Sequence, residues 1–260
     1  MKLLLCLCLL TCSVRAQQWR LVSSSKAISL GHGAEHVIKQ IAGPAKAELR
    51  LVFFDEKQCE LRVVVNASQK TASPFSSIGV AEKALAVCNG GYFNPGSAEF
   101  SAVGLEIAHG VRSGKPVEDQ WFGGLMVRQG RASLVWSNDF QDATDISEFV
   151  QCSPWLVSEG RVWPVPPSKE PEPRNNRTFI MTDAAGRWAI GTCKRTGLLE
   201  LAHILVTPGI ITEMKVNRAL NLDGGPSTGL WCRSADGREY FEKPGWAVRN
   251  AIVITPRNSK

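Results

Sequence analysis

The sequence predicts an α+β fold, with mixed or antiparallel β-sheets and a few flanking helices in a single domain. Runs of β-branched and aromatic residues recur along the chain, short turn signals separate most of them, and helical spacing is confined to a few stretches. No internal repeat is visible, and strand and helix do not alternate regularly as a parallel sheet requires.

Taken in order, "AELRLVFFD" (Ala47–Asp55) and "CELRVVVN" (Cys59–Asn66) flank the short polar "EKQ" and predict an early hairpin. "SSIGVAEKALAVCNGGYF" offers Ser76 and Ser77 as N-caps of a short helix, becomes strand-like at Ala84–Cys88 and turns at Asn89-Gly90-Gly91. "FGGLMVRQGRASLVW", "SPWLVSEGRVWPV" and "RTFIMTDAAGRWAIGTC" each set a turn signal between apolar runs, which predicts three more hairpins. "PVPPSKEPEPRNN" carries five prolines from Pro164 to Pro173 and reads as a stiff exposed loop. "GLLELAHILVTPG" is the clearest amphipathic helix, stopped by Pro208-Gly209, and "GLWCRS" near the C-terminus is a strand.

Residues 1–16, "MKLLLCLCLLTCSVRA", join a basic start, an apolar stretch and a small-residue site at Val14-Arg-Ala16, the pattern of a secretory signal peptide. A lipid anchor at Cys12 is the lesser alternative. Residues 17–46 then read as an N-terminal extension and 47–257 as the functional domain, with secreted or periplasmic placement and no transmembrane segment expected. Without Lys2 and Arg15 the 30 basic residues fall to 28 against 24 acidic ones, a surplus of four. That surplus forms no basic stripe with interleaved aromatics, so no nucleic-acid partner is expected. Five of the eight cysteines lie beyond residue 16 (Cys59, Cys88, Cys152, Cys193, Cys232). Export makes one or two disulfides plausible, while the odd count leaves at least one thiol unpaired.

The most informative stretch is "ALNLDGGPSTGLWC", Ala219–Cys232. It satisfies G-x-S-x-G around Ser227, but a strand follows the serine where a helix should stand, and His32, His36, His109 and His203 all precede it. Those two facts exclude the α/β-hydrolase arrangement, and a serine nucleophile without its base is a poor one. His32 and His36 in "GHGAEH" have helical metal-ligand spacing, yet glycines flank the first; they read as an exposed pair, and no metal or cofactor is expected. What raises the stretch above a plain glycine turn is Asp223, a carboxylate closing an apolar run with backbone N–H groups gathered after it.

"VCNGGYFNPG", "VGLEIAHG", "QCSPWLVSEGR", "NRTFIMTDAAGR" and "ALNLDGGPSTGLW", in that order between residues 50 and 255, resemble the phosphodiester glycosidase family, which has many exported bacterial members. The resemblance implies cleavage between the anomeric carbon of a sugar and a phosphate diester, in a small or polymeric sugar-phosphate substrate. It also implies substrate-binding roles for Asn89, Gly90, Arg177, Thr178, Asn221, Gly224, Gly225 and Ser227, and marks Gly104 and Phe93 as family positions. Pro226 departs from the family's third glycine and removes one N–H donor; Cys152 stands where serine or glycine is common.

Chemistry agrees with that implication. Phosphate is already a good leaving group, so the reaction needs anion binding and a carboxylate that stabilises an oxocarbenium-like centre or activates water. Asp223 is the expected catalytic carboxylate and Glu106 the second. Arg177 suits bidentate phosphate contact, and Ser227, Thr228, Asn89 and the turn amides suit phosphate or sugar oxygens. Tyr92, Phe93 and Trp231 read first as core. The alternative is a non-catalytic carbohydrate or cell-wall binding module on the same fold.

Overall fold

The computed structural model describes residues 18–66, 75–96, 100–166 and 172–257; the expected signal segment with Cys12, and part of the proline-rich loop, lie outside them. The described chain is largely β, with two short α-helices, α1 (Phe75–Ala81) and α2 (Leu198–Val206). Every strand pairing is antiparallel. The fold is therefore richer in strand than the expected α+β balance.

A nine-stranded sheet runs Arg20–Ser24, Ala34–Ala42, Lys46–Asp55, Arg187–Thr196, Asn175–Thr182, Arg218–Asn221, Trp155–Ser158 and Arg161–Val162, with Ile28–Gly31 added to Ala34–Ala42. One five-stranded sheet orders Arg131–Trp136, Gly123–Arg128, Ile146–Cys152, Glu106–Ala108 and Val111–Ser113. Another orders Glu239–Glu242, Leu230–Arg233, Ala86–Asn89, Asn250–Pro256 and Cys59–Val65.

Side-chain alternation places the cores. Along Lys46–Asp55, Leu49, Leu51 and Phe53 point to one face and pack with Leu201, Ile204 and Leu205 of α2. Val52 and Phe54 point the other way, into a core shared with Leu61, Cys88 and Ile252 of one small sheet and Leu125 and Val150 of the other. The centre of the nine-stranded sheet is thus buried on both faces, while its edge strands Arg20–Ser24 and Arg161–Val162 are largely exposed. Helix α2 begins on a Glu200 side chain that accepts from the Gly197 amide at 3.0 Å, and stops before Pro208-Gly209, where Gly209 has φ +82°. Helix α1 packs so closely on Trp231 that a Cβ at Gly79 would lie 2.3 Å from the indole. A Gly79→Ala change there forces the ring or the helix to move.

The three central hairpins form as the turn signals indicate, with Gln129-Gly130 and Glu159-Gly160 at positive φ as a tight two-residue turn requires. The early hairpin does not form. Lys46–Asp55 pairs with Ala34–Ala42 and Arg187–Thr196, whereas Cys59–Val65 crosses to another sheet and pairs with Asn250–Pro256. The "EKQ" turn changes sheets, and local pattern does not distinguish that from a hairpin. Ser76 and Ser77 lie inside the first turn of α1, which starts at Phe75, and do not cap it.

Two expectations about the N-terminal part change. Within residues 17–46, the strands Arg20–Ser24, Ile28–Gly31 and Ala34–Ala42 complete the nine-stranded sheet and do not trail outside it. His32 occupies the turn between two of these strands, and His36 is buried in the strand after it, where burial and then Arg50 pull its pKa down to about 4. All five cysteines are free and buried, in contrast to the expected disulfides. Four pack in the shared core and Cys193 beneath α2, behaving as small apolar side chains. Burial pushes Cys59 up to about 11 and Cys193 and Cys232 up to about 12, leaving the thiolate scarce. No helix among the described residues is long and apolar enough to cross a membrane.

Candidate active site

Segments from all three sheets meet where Arg218–Asn221 ends. Backbone bonds fix the exit of this strand: Asn221 N donates to Pro154 O (3.0 Å), Leu222 N to Thr178 O (2.8 Å) and Asp223 N to Gly90 O (2.9 Å). Asn89 then ties the turn down. Its Nδ2 donates to Asp223 O at 2.6 Å, and its Oδ1 accepts from Thr178 Oγ1 (2.7 Å) and Gly229 N (3.1 Å). Asn221 Nδ2 donates to Ser153 O at 2.7 Å and to Tyr92 Oη at 3.3 Å, while the Tyr92 hydroxyl itself donates to Ser153 O at 2.6 Å. Asn89, Thr178 and Asn221 are all buried, so their side chains hold the turn.

Glycine is needed where backbones touch. A Cβ at Gly90 would lie 2.1 Å from Asn250 Oδ1, and one at Gly224 would lie 2.8 Å from Asn176 O. Gly225 stands at φ +57°. Pro226 occupies the start of a single 3₁₀ turn, Gly225–Ser227, where the missing N–H is not called on. The amides of this turn are otherwise used internally: Gly224 N donates to Asp223 Oδ1 (2.9 Å), Ser227 N to Gly224 O (3.1 Å) and Thr228 N to Gly225 O (3.3 Å). The gathered donors expected for a ligand therefore shape the bend, and the turn presents the carboxylate itself.

Asp223 is half-buried and no salt bridge reaches it among the described residues. Burial raises its pKa from the ordinary aspartate value to about 6, against the lowering effect of the Ser227 hydroxyl and the Gly224 amide. Ser227 Oγ also accepts from Trp246 Nε1 at 2.7 Å. This serine has an indole and a carboxylate beside it and no histidine. His109 lies 3.6 Å from Glu148, and His203 belongs to α2. Trp246 keeps 43% of its surface in solvent and meets Phe93 edge-on. Two buried oxygens in these motifs, Asn221 Oδ1 and Thr228 Oγ1, have no hydrogen-bond partner among the described residues.

Arg177 reaches the turn, its Cδ 3.8 Å from where a Gly224 Cβ would stand. Its guanidinium is largely taken: Nε donates to Thr196 O (3.0 Å), and Nη2 to Pro173 O (2.9 Å) and Glu172 Oε1 (3.1 Å). Glu172 also accepts from the Leu198 amide at the start of α2. Only Nη1 of Arg177 is without a partner among the described residues, which reduces the expected bidentate fork to one nitrogen.

Glu106 does not join Asp223 as a second open carboxylate. It is 1% exposed, Oε1 accepts from Arg249 Nη2 at 3.0 Å, and Oε2 accepts from Asn250 Nδ2 at 2.6 Å. Both oxygens are committed to partners within the fold. Sequence reasoning passed over Trp246, Asn250 and Ser153. A tryptophan in "KPGWAVRN" is the only signal for the first, Ser153 lies within the motif "QCSPWLVSEGR", and nothing local points to Asn250. Among the described residues no group of three or more His, Cys, Asp or Glu is arranged to hold a metal ion.

The half-buried carboxylate thus lies on a glycine turn that Arg177 approaches at Gly224 and the exposed Trp246 indole reaches through Ser227. The chain belongs to the phosphodiester glycosidase family, which matches residues 82–255. The catalytic domain of zebrafish N-acetylglucosamine-1-phosphodiester alpha-N-acetylglucosaminidase, auto-inhibited by its pro-peptide, is similar with TM-score 0.60 at 14% identity, over 95% of this chain and 85% of that one. A hypothetical protein from Synechocystis gives TM-score 0.60 at 14% identity over 89% of this chain, which spans 64% of that protein. Both likenesses concern the fold. No curated protein sequence matches.

Proposed function

We propose that the chain is an exported hydrolase that cleaves the glycosidic bond of sugar-1-phosphodiesters, giving free sugar and a phosphomonoester, with residues 1–16 as its signal peptide. The carrying observation is Asp223: a solvent-reachable carboxylate without a cationic partner among the described residues, its pKa pushed up to about 6 and its backbone held by Asn89 and the Gly90 carbonyl. Such a group is ionised at neutral pH and little solvated, which suits it to face positive charge developing at an anomeric carbon or to take a proton from water. Water supplies the new bond to that carbon, and the phosphate departs with the old bond's electron pair, needing little acid assistance. In this reading Arg177 Nη1 meets the phosphate and the exposed face of Trp246 stacks on the sugar ring. Asn89, Thr178 and Asn221 act through the turn that they hold.

The test is hydrolysis of a panel of sugar-1-phosphodiesters by wild type and Asp223→Ala, with free sugar and phosphomonoester quantified separately. Both products are expected from the wild type alone. If neither folded protein turns over any member, the reading fails and a non-catalytic carbohydrate-binding module takes its place. A fluorophosphonate probe should leave Ser227 unlabelled.

A further inference from the structure

Away from Asp223, the strand Trp155–Ser158 and the hairpin to Arg161–Val162 border a cavity of about 560 Å³, within the usual range of small-ligand sites. Trp136 and Trp163 form its aromatic lining. Trp136 is stacked on the fully buried Trp155 at 4.2 Å and 29°, and Trp155 Nε1 donates to Phe122 O at 3.3 Å. Trp163 leans on Trp136 at 4.8 Å and 57°, and keeps 36% of its surface in solvent. Its backbone is fixed by a bond from Trp163 N to Leu156 O at 2.9 Å, and the Glu159-Gly160 turn, at φ 52° and 73°, closes the hairpin beneath. The aromatic surface is therefore preorganised.

Around it stand Gln120, Asn138, Asp139, Glu159 and Arg161. No hydrogen bond or ion pair engages any of these five side chains among the described residues, although a chain with this many internal ion pairs had partners to offer. They are donors and acceptors of mixed type, pointed at a concave surface and left unspent. Two carboxylates against one guanidinium disfavour an anionic ligand, so this is not a second phosphate site.

The geometry points to a saccharide-binding cleft at Trp136 and Trp163, taking a neutral or N-acetylated pyranose of a glycan chain. The apolar C–H face of the ring lies on Trp163, and the hydroxyls fall to Asn138, Asp139, Glu159 and Arg161. The cleft is joined to the Asp223 turn through one strand. Trp155–Ser158 follows directly on Ser153 and Pro154, whose carbonyls accept from Asn221, and runs about 10 Å to the hairpin.

The test is titration of the full chain with linear tetrasaccharides of N-acetylglucosamine, glucose and mannose, followed by calorimetry and by tryptophan fluorescence. At least one tetrasaccharide is expected to bind with a Kd in the millimolar range or tighter. Trp163→Ala removes an exposed ring without opening the core and weakens that binding by about tenfold or more; Arg161→Ala weakens it by about threefold. Asp223→Ala binds as the wild type does, which separates this cleft from the proposed reaction centre and holds whether or not hydrolysis is found. Absence of binding by all three tetrasaccharides at 10 mM, on the order of a weak glycan site, would overturn the proposal. So would equal affinity in Trp163→Ala, or loss of binding in Asp223→Ala.

Discussion

Glu106 and Asp223 stand at the two ends of one chain of contacts, and their surroundings are opposite. Glu106 accepts from Asn250 Nδ2; Asn250 receives the Gly91 amide on its Oδ1 (2.8 Å) and the Gly90 amide on its carbonyl (3.0 Å); Gly90 O receives Asp223 N. At the first end the carboxylate is sealed and neutralised by Arg249. At the second it is half-buried, and among the described residues only a serine hydroxyl and one amide hold its pKa down. The difference teaches that burial with a charge partner makes scaffold, whereas burial without one pushes a carboxylate's pKa up toward neutrality.

The strongest way to break this comparison is to truncate each carboxylate and ask what is lost. Asp223→Ala should lower turnover of a cleaved diester by about a thousandfold while the protein stays folded. Glu106→Ala should do the reverse of a clean catalytic lesion. It strands Arg249 in the interior, and denaturant unfolding should show a loss of about 3–5 kcal/mol. A folded, fully stable Glu106→Ala protein with no activity would make Glu106 the reacting group and undo the assignment.

How these two residues read in sequence follows the same division. Asp223 stands out in the sequence because its setting is local: the apolar strand before it, the glycines after it, and the ordered family motifs. The surroundings of Glu106 are not legible in this way, because its partners Arg249 and Asn250 lie 143 and 144 residues away. The same limit governs the fold. The turns at Gln129-Gly130 and Glu159-Gly160 are set by their own backbone needs and were legible. The "EKQ" turn has the same look, but the registers of Ala34–Ala42 and Asn250–Pro256 send its two strands to different sheets. Free cysteines were equally out of reach, since spacing carries no information about which apolar core surrounds a thiol.

Asp223→Asn sharpens the comparison with a smaller effect of fixed sign. The folded-state pKa of about 6 lies above the unfolded value near 3.9, so the folded chain holds this proton more tightly. The associated stability is fully present below about pH 4 and is lost as pH rises through about 6. Asparagine imitates the protonated form at every pH. The variant should therefore be more stable than wild type by about 2 kcal/mol at pH 7, with the advantage gone at pH 4. Denaturant midpoints at the two pH values measure it, and a wild type that gains on the variant between pH 4 and 7 would show that the folded site favours the charge.

The finest test concerns what little steadies the Asp223 charge. Trp246 Nε1 donates to Ser227 Oγ, and the Ser227 hydroxyl holds the Asp223 pKa down. Donation into Oγ polarises its O–H toward the carboxylate, so the indole acts on Asp223 through the serine. Trp246→Phe keeps an aromatic face for a sugar and removes only that N–H. The acid limb of the rate against pH should then move upward by about half a unit, with the rate on the neutral plateau little changed. An unmoved limb with a raised KM would assign Trp246 to stacking alone, leaving Ser227 and the Gly224 amide as the whole support of the charge.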